Sequence, residues 1–333
     1  YKTVDRFQFQ GAGLNAAVTT QQANVASGTT PYTLGFRNSY KITNGAQTGP
    51  DASDKIEFIT KIEAGDIAKS GWNYKSTSSF ITLSFWVKSS VAQNFFGYIL
   101  SLDGTSQNFP FETGSLSADT WTKITKVIPG NSNLDFDSDA TGGVNEGLRI
   151  VFQPFMGTSN TGSVSLDAWA AFNSSVRTPD QTSTWFTTDG ATWEFTGVQL
   201  EVGSVATDFE HRSFGEELAL CQRYYYKQSA NDNQFFRGMG MADVDGNSIE
   251  LNSPLPTTMR VAPSALEQTG NASDYKIRRS TTATCTSVPS FSHATKDQLQ
   301  CRFTKSSHGF GDGSAVRCVS GTAGAFIAVS AEL

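Results

Sequence analysis

Ser79–Lys88 reads SFITLSFWVK, with Ile81, Leu83, Phe85 and Val87 on one side of an extended chain and Phe80 and Trp86 on the other. Side chains alternate between the two faces of a strand, so this is a β-strand, and apolar residues on both sides predict a central one covered on both faces. Working outward, Lys55–Ile62 (KIEFITKI) sets Ile56, Phe58 and Ile62 against Lys55, Glu57 and Lys61, the pattern of a half-buried strand. Comparable runs occupy Trp121–Ile128, Leu148–Phe155 and Trp193–Val202. Turn-forming stretches such as Pro129–Asn133 (PGNSN) and Gly157–Gly162 (GTSNTG) separate them. Many short strands with frequent turns and few helical patterns predict an antiparallel β-sandwich.

One helix is expected, over 213–228. Ser213-Phe-Gly-Glu216 fits a capping box, and Leu218, Cys221 and Tyr225 then recur on one stripe. Beyond it, 229–333 returns to short strands and turns. The expected fold class is all-β: a large sandwich over 1–212, a connecting helix, and a second, smaller β-sandwich-like domain. Charge changes at the same place. Up to Arg212 the chain holds 14 basic and 20 acidic residues, whereas Ser213–Leu333 holds 11 of each, so the whole net charge of −6 belongs to the first part.

With 38% hydrophobic and 12% aromatic residues the chain has ample apolar surface to bury, which excludes a disordered polymer. Charged residues make up only 17%, and Lys and Arg do not cluster, so nucleic acid is not the expected partner. No stretch is long and apolar enough for a helix to cross a membrane, so no membrane insertion is expected. Tyr1 stands where an initiator Met would, which reads as a processed or partial chain, and no secretory leader is visible.

Candidate chemistry is sparse. Three histidines stand apart, and phosphate-loop, dinucleotide and nucleophile-elbow motifs are missing, so an enzyme is not expected. Cys221, Cys285, Cys301 and Cys318 lack paired zinc-ligand spacing; they read as buried thiols, with a Cys285–Cys301 disulfide as the alternative. Asp135, Asp137 and Asp139, with Glu146 eleven residues after the first, could aim oxygens at a structural calcium. The sixth position of that loop is Ala140 where a calcium loop has Gly, and a solvated acidic turn remains the other reading. No other cofactor is expected. Flat aromatic faces bind sugars, and Trp72, Tyr74 and Trp185 sit in polar loops, which makes them the candidate glycan-binding residues, with packing beneath a loop as the alternative. Trp86, Trp121 and Trp193 lie within strand patterns and are expected in the core.

Thr196–Gly203 (TGVQLEVG), followed by Ala206-Thr207, Phe209-Glu210 and Gly215–Tyr225 (GEELALCQRYY), resembles the junction found in bacteriophage tail-fibre and receptor-binding proteins of marine-phage type. Gly35–Tyr40, Leu83–Ser90, Asn108–Phe111, Thr120-Trp121 and Asp167–Trp169 fit the same pattern, as do Pro256–Pro263 and Ser330–Leu333, so the resemblance spans nearly the whole chain. It implies a jelly roll similar to carbohydrate-binding modules over 1–212 and a β tip or trimerisation domain over 229–333. It further implies a homotrimer in the virion, joined to other tail proteins through a preceding part and adhering to a host-surface glycan or lipopolysaccharide. Leu218, Tyr224 and Tyr225 would supply the trimer seam. A purely structural fibre protein and a glycan-cleaving fibre are the alternatives. The acidic stretch Asp135–Asp139 departs from the Thr-rich loop of that family.

Overall fold

The computed structural model describes residues 2–4, 6–136, 145–244 and 246–332. They form two compact units, the first ending at His211 and the second beginning at Arg212.

The strands of the first unit are β1 (Lys2–Val4), β2 (Phe7–Ala12), β3 (Thr19–Asn24), β4 (Asn38–Thr43), β5 (Lys55–Glu63), β6 (Phe80–Ser89), β7 (Asn94–Ser101), β8 (Gln107–Ser115), β9 (Thr122–Pro129), β10 (Glu146–Met156), β11 (Ala170–Ala171) and β12 (Thr192–Val202). They build a seven-stranded sheet in the order β1-β2-β5-β10-β7-β8-β11 and a five-stranded sheet in the order β3-β4-β12-β6-β9, with every pair antiparallel. The fold is thus the all-β sandwich expected. Between the sheets lies an aromatic slab. Phe58 stacks on Trp193 with ring centroids 5.7 Å apart and planes 7° from parallel, and Phe85, Phe152 and Phe195 close around them. Each of these side chains is almost fully removed from water, and each contributes ~1.5–3 kcal/mol by its burial.

The slab sets the alternation of every strand that crosses it. In β6, Ile81, Leu83, Phe85 and Val87 point inward, so Thr82, Ser84, Trp86 and Lys88 must point out. In β12 the alternation is reset once. Thr196 pairs with Trp86 but Gln199 pairs with Ser84, so an extra residue is accommodated in a bulge. Gly197 sits there at φ +61°, and a Cβ on it would lie 2.6 Å from the Phe36 ring, so both the turn of the backbone and the space demand glycine.

The second unit begins with α4 (Phe214–Gln222), numbered after the short helices α1 (Thr30–Thr33), α2 (Ala64–Ala68) and α3 (Thr184–Thr187) of the first. Ser213 Oγ accepts the Glu216 amide, and the Glu216 carboxylate accepts the Ser213 amide in return, as the capping box requires. The helix stops six residues short of the expected end. Tyr225–Ala230 is instead strand β13, because its backbone pairs with β22 (Ala325–Ser330) about a hundred residues later. The remaining strands are β14 (Met239–Ala242), β15 (Ser248–Pro254), β16 (Glu267–Gln268), β17 (Tyr275–Arg278), β18 (Thr282–Thr284), β19 (Ser290–Ala294), β20 (Gln298–Thr304) and β21 (Ala315–Ser320). A three-stranded sheet, β13-β22-β16, and a seven-stranded sheet, β18-β17-β21-β14-β15-β20-β19, enclose a core that includes Ile249, Leu251, Tyr275, Phe303 and Ile327.

None of the four cysteines is in a disulfide; Cys285, Cys301 and Cys318 are buried and Cys221 is half-buried. Burial pushes the Cys285 and Cys301 thiols up to about 12, and it also raises Cys318 well above the ordinary thiol range. Since the thiolate is the reactive form, a thiol reagent at pH 8 should label Cys221 alone in the native protein and the other three only in denaturant. In the first unit, Phe152→Ala should cost about 3–5 kcal/mol in urea unfolding, because the slab cannot close over the cavity. A loss below 1 kcal/mol would show that the slab is not what holds the sheets together.

Candidate functional site

The two outward faces of the sandwich differ. Across the seven-stranded sheet lies a strap, residues 172–183, which follows the edge strand β11. It is tied down where Asn108 Nδ2 donates to the Arg177 carbonyl at 2.8 Å. Beneath it Ile59, Tyr98, Leu100 and Val151 form a small apolar cluster with Phe172. Beside that cluster the buried Glu57 carboxylate takes an ion pair from Lys55 at 3.0 Å and hydrogen bonds from Tyr98 Oη at 3.3 Å and Gln153 Nε2 at 3.2 Å. Gln153 Oε1 in turn accepts from Thr178 and Gln181 of the strap. Burial, with Glu57 alongside, raises the Tyr98 hydroxyl well above the ordinary tyrosine range, so it serves as a donor. The polar groups here are spent on one another, and the middle of this face is closed.

On the five-stranded sheet Thr82 and Ser84 are buried, with Thr82 donating to the Gly203 carbonyl, whereas the rows from Trp86 and Lys88 onward reach water. Strand register places Gln21 opposite Lys41, Lys41 opposite Glu194, and Glu194 opposite Lys88, one residue from each of β3, β4, β12 and β6. On the fifth strand, Val87 pairs with Thr122, which brings Trp121 beside Lys88, and the Lys88 ammonium lies 5.1 Å from the Trp121 ring centre. In the next row Trp86 stands between Thr196 and Lys123. Glu194 organises the first row. Its carboxylate, only 5% exposed, holds Lys88 at 3.0 Å and Lys41 at 3.9 Å and accepts from Ser39 Oγ at 3.0 Å. Two half-exposed indoles thus flank a fixed band of cations, a carboxylate, an amide and hydroxyls. Such a surface can lie against the apolar face of a sugar ring while its polar groups meet the hydroxyls.

This overturns the expectation that Trp86 and Trp121 belong to the core; among the three strand tryptophans only Trp193 does. The outward polar set of β6, Thr82, Ser84 and Lys88, was the signal for Trp86, since a residue in phase with them shares their face. The loop aromatics are also corrected. Trp72 is 3% exposed and donates its indole N–H to the Ser79 carbonyl; Trp185 is fully buried and donates to the Thr192 carbonyl. Both are held inside by these bonds and offer no face to a ligand. Tyr74, half-buried, packs edge-on to Phe136 at 4.9 Å.

Of the proposed calcium ligands, Asp137 and Asp139 lie outside the described residues. Glu146 is engaged by Arg149 at 2.6 Å and Lys61 at 3.1 Å. Asp135 lies against Gly104, where a Cβ would meet its own Cβ at 2.8 Å. Among the described residues, no group of three or more His, Cys, Asp or Glu side chains is placed to hold a metal. The proposed seam residues separate too. Tyr224 is buried, Tyr225 donates its hydroxyl to Glu267 at 3.2 Å, and Leu218 is exposed.

No protein-family model matches the sequence, and no curated protein matches it. Among solved structures the chain is similar to a CBM4 module, at 17% identity and a TM-score of 0.30, over 60% of this chain and 88% of that one. It is also similar to the family 11 carbohydrate-binding module of Lic26A-Cel5E from Clostridium thermocellum, at 14% identity and a TM-score of 0.29, over 61% and 91%. A third is the CBM22-1–CBM22-2 tandem of Xyn10C from Paenibacillus barcinonensis, at 9% identity and a TM-score of 0.30, over 100% and 95%.

Proposed function

We propose that the first unit is a non-catalytic glycan-binding module whose site is the outward face of the five-stranded sheet. The observation that carries this is the row from Gln21 through Lys41, Glu194 and Lys88 to Trp121, with Trp86 in the row beside it. Trp86 and Trp121 supply stacking area, and the polar band fixes the orientation of the sugar. Because the Glu194 carboxylate is already bound to two lysines, it acts as an anchor for donors and acceptors around it, not as an acid or base.

The finer reading places this module on a bacteriophage tail fibre that adheres to a host-surface glycan or lipopolysaccharide. It rests on the resemblance of Thr196–Gly203 and Gly215–Tyr225 to fibre junctions. Weak single sites suit that role, since copies on one trimer raise avidity without new contacts. An assembly role for the second unit has its own support. Helix α4 exposes Phe214 (83%) and, one turn on along the same side, Leu218, an apolar surface suited to contact between copies, with Tyr224 buried and Tyr225 bonded to Glu267.

Two measurements check these readings. On a host-glycan array, the wild-type protein should bind at least one glycan, and Trp86→Ala or Trp121→Ala should each weaken that binding about tenfold, the loss of ~1–2 kcal/mol of stacking and area. Trp72→Phe and Trp185→Phe should leave the affinity of the folded protein unchanged; equal binding by all four variants would remove the site from this face. For assembly, light scattering should give a trimer for the wild type and a monomer for Leu218→Glu, and a monomeric wild type would rule out the seam.

A further inference from the structure

The second unit carries an independent row of outward side chains across its seven-stranded sheet. Arg278 of β17 pairs with Thr282 on one side and Arg317 of β21 on the other. Gly240 pairs with Val316 and Met241 with Ala315, so Met239 falls beside Arg317. Met239 pairs with Asn252, Asn252 with Gln300, and Gln300 with His293. Their neighbours Ile277, Val316, Leu251 and Cys301 are buried, whereas this row faces solvent along its length. Seven strands at 4.7–4.9 Å spacing make it about 28 Å long.

Its centre is electrostatically unbalanced. Two arginines directly opposite each other across an antiparallel pair repel. Both guanidiniums lean on the exposed Phe235 ring, Arg317 at 4.6 Å and Arg278 at 5.9 Å from its centre. Neither has a carboxylate partner among the described residues. The nearby acids are engaged elsewhere, Glu250 and Asp243 with Arg302 and Asp232 with Lys276. One ring therefore gathers both guanidiniums, which have no carboxylate partner among the described residues, and a pair of such forks suits the two oxygens of an oxyanion.

We propose that this face binds an acidic polysaccharide. Arg278 and Arg317 receive a carboxylate or sulfate, and Thr282, Asn252, Gln300 and His293 receive the hydroxyls of a chain lying across the strands. The length of the row and the hydrogen-bonding groups flanking the arginines call for a hydroxyl-rich polymer and not a compact anion. Nucleic acid is disfavoured because the unit as a whole has equal numbers of acidic and basic residues. The site does not depend on the one proposed for the first unit.

The test is calorimetric titration of the full chain, at low salt, with polygalacturonate, dextran sulfate and neutral dextran of matched length. Polygalacturonate or dextran sulfate should bind, the stronger of the two identifying carboxylate or sulfate as the group received, with affinity falling as salt rises. Arg278→Gln with Arg317→Gln should weaken that binding tenfold or more. Arg278→Lys with Arg317→Lys should be intermediate, and Lys296→Gln, which removes a charge elsewhere on the unit, should change affinity less than twofold. Circular dichroism of each variant establishes that it is folded. The proposal is overturned if neither acidic polymer binds, if the glutamine pair binds like the wild type, or if a single-stranded oligonucleotide binds as tightly with the same dependence on the two arginines.

Discussion

The first unit depends on the packing of Phe58, Phe85, Phe152, Trp193 and Phe195 between two sheets. Burying rings of this size leaves little freedom, because a slip of one residue in any crossing strand would carry its aromatic side chain into water and a polar one into the slab. The slab therefore determines what the outside looks like. Phe85 inside means Trp86 outside; Trp193 and Phe195 inside mean Glu194 outside. The candidate glycan surface is the complement of the core, residue by residue, and the bulge at Gly197 is the one place where that complement is shifted.

Much of this was legible in the alternation of SFITLSFWVK and KIEFITKI, which report a strand and its inward set without any knowledge of partners. What alternation cannot report is whether the second face of a strand is covered. Phe80 shares the face of Trp86 and suggests a covered strand, but the strap of residues 172–183 lies over the other sheet. Trp72 and Trp185 failed for the opposite reason. Their neighbours in sequence are polar, while their burial is decided by backbone carbonyls at Ser79 and Thr192 and by rings from elsewhere. The start of α4 is legible because its capping box is local, whereas its end is not, because β13 answers to a strand about a hundred residues away.

Charge is used differently on the three sheet faces. Under the strap, Glu57 is surrounded by donors and buried, so its charge works inward and secures one segment to another. On the five-stranded sheet, Glu194 is equally hidden but its partners Lys41, Lys88 and Ser39 all stand on strands of that sheet, so the same device ties strand to strand. In the second unit the acids pair away from Arg278 and Arg317, and the positive charge there is left to whatever approaches.

The strand order also bears on how the chain can be made. β12 is the last strand of the first unit in sequence, yet it lies between β4 and β6; β22, last in the second, lies between β13 and β16. In each unit a gap stays open during synthesis until a late segment emerges and fills it. The earlier strands must wait with unpaired edges, a state open to wrong pairing and to capture by other chains. A ribosome that pauses before Thr192 or before Ala325 would thus hold a half-built sheet, and a frameshift near either strand would remove the middle of a sheet and not its margin.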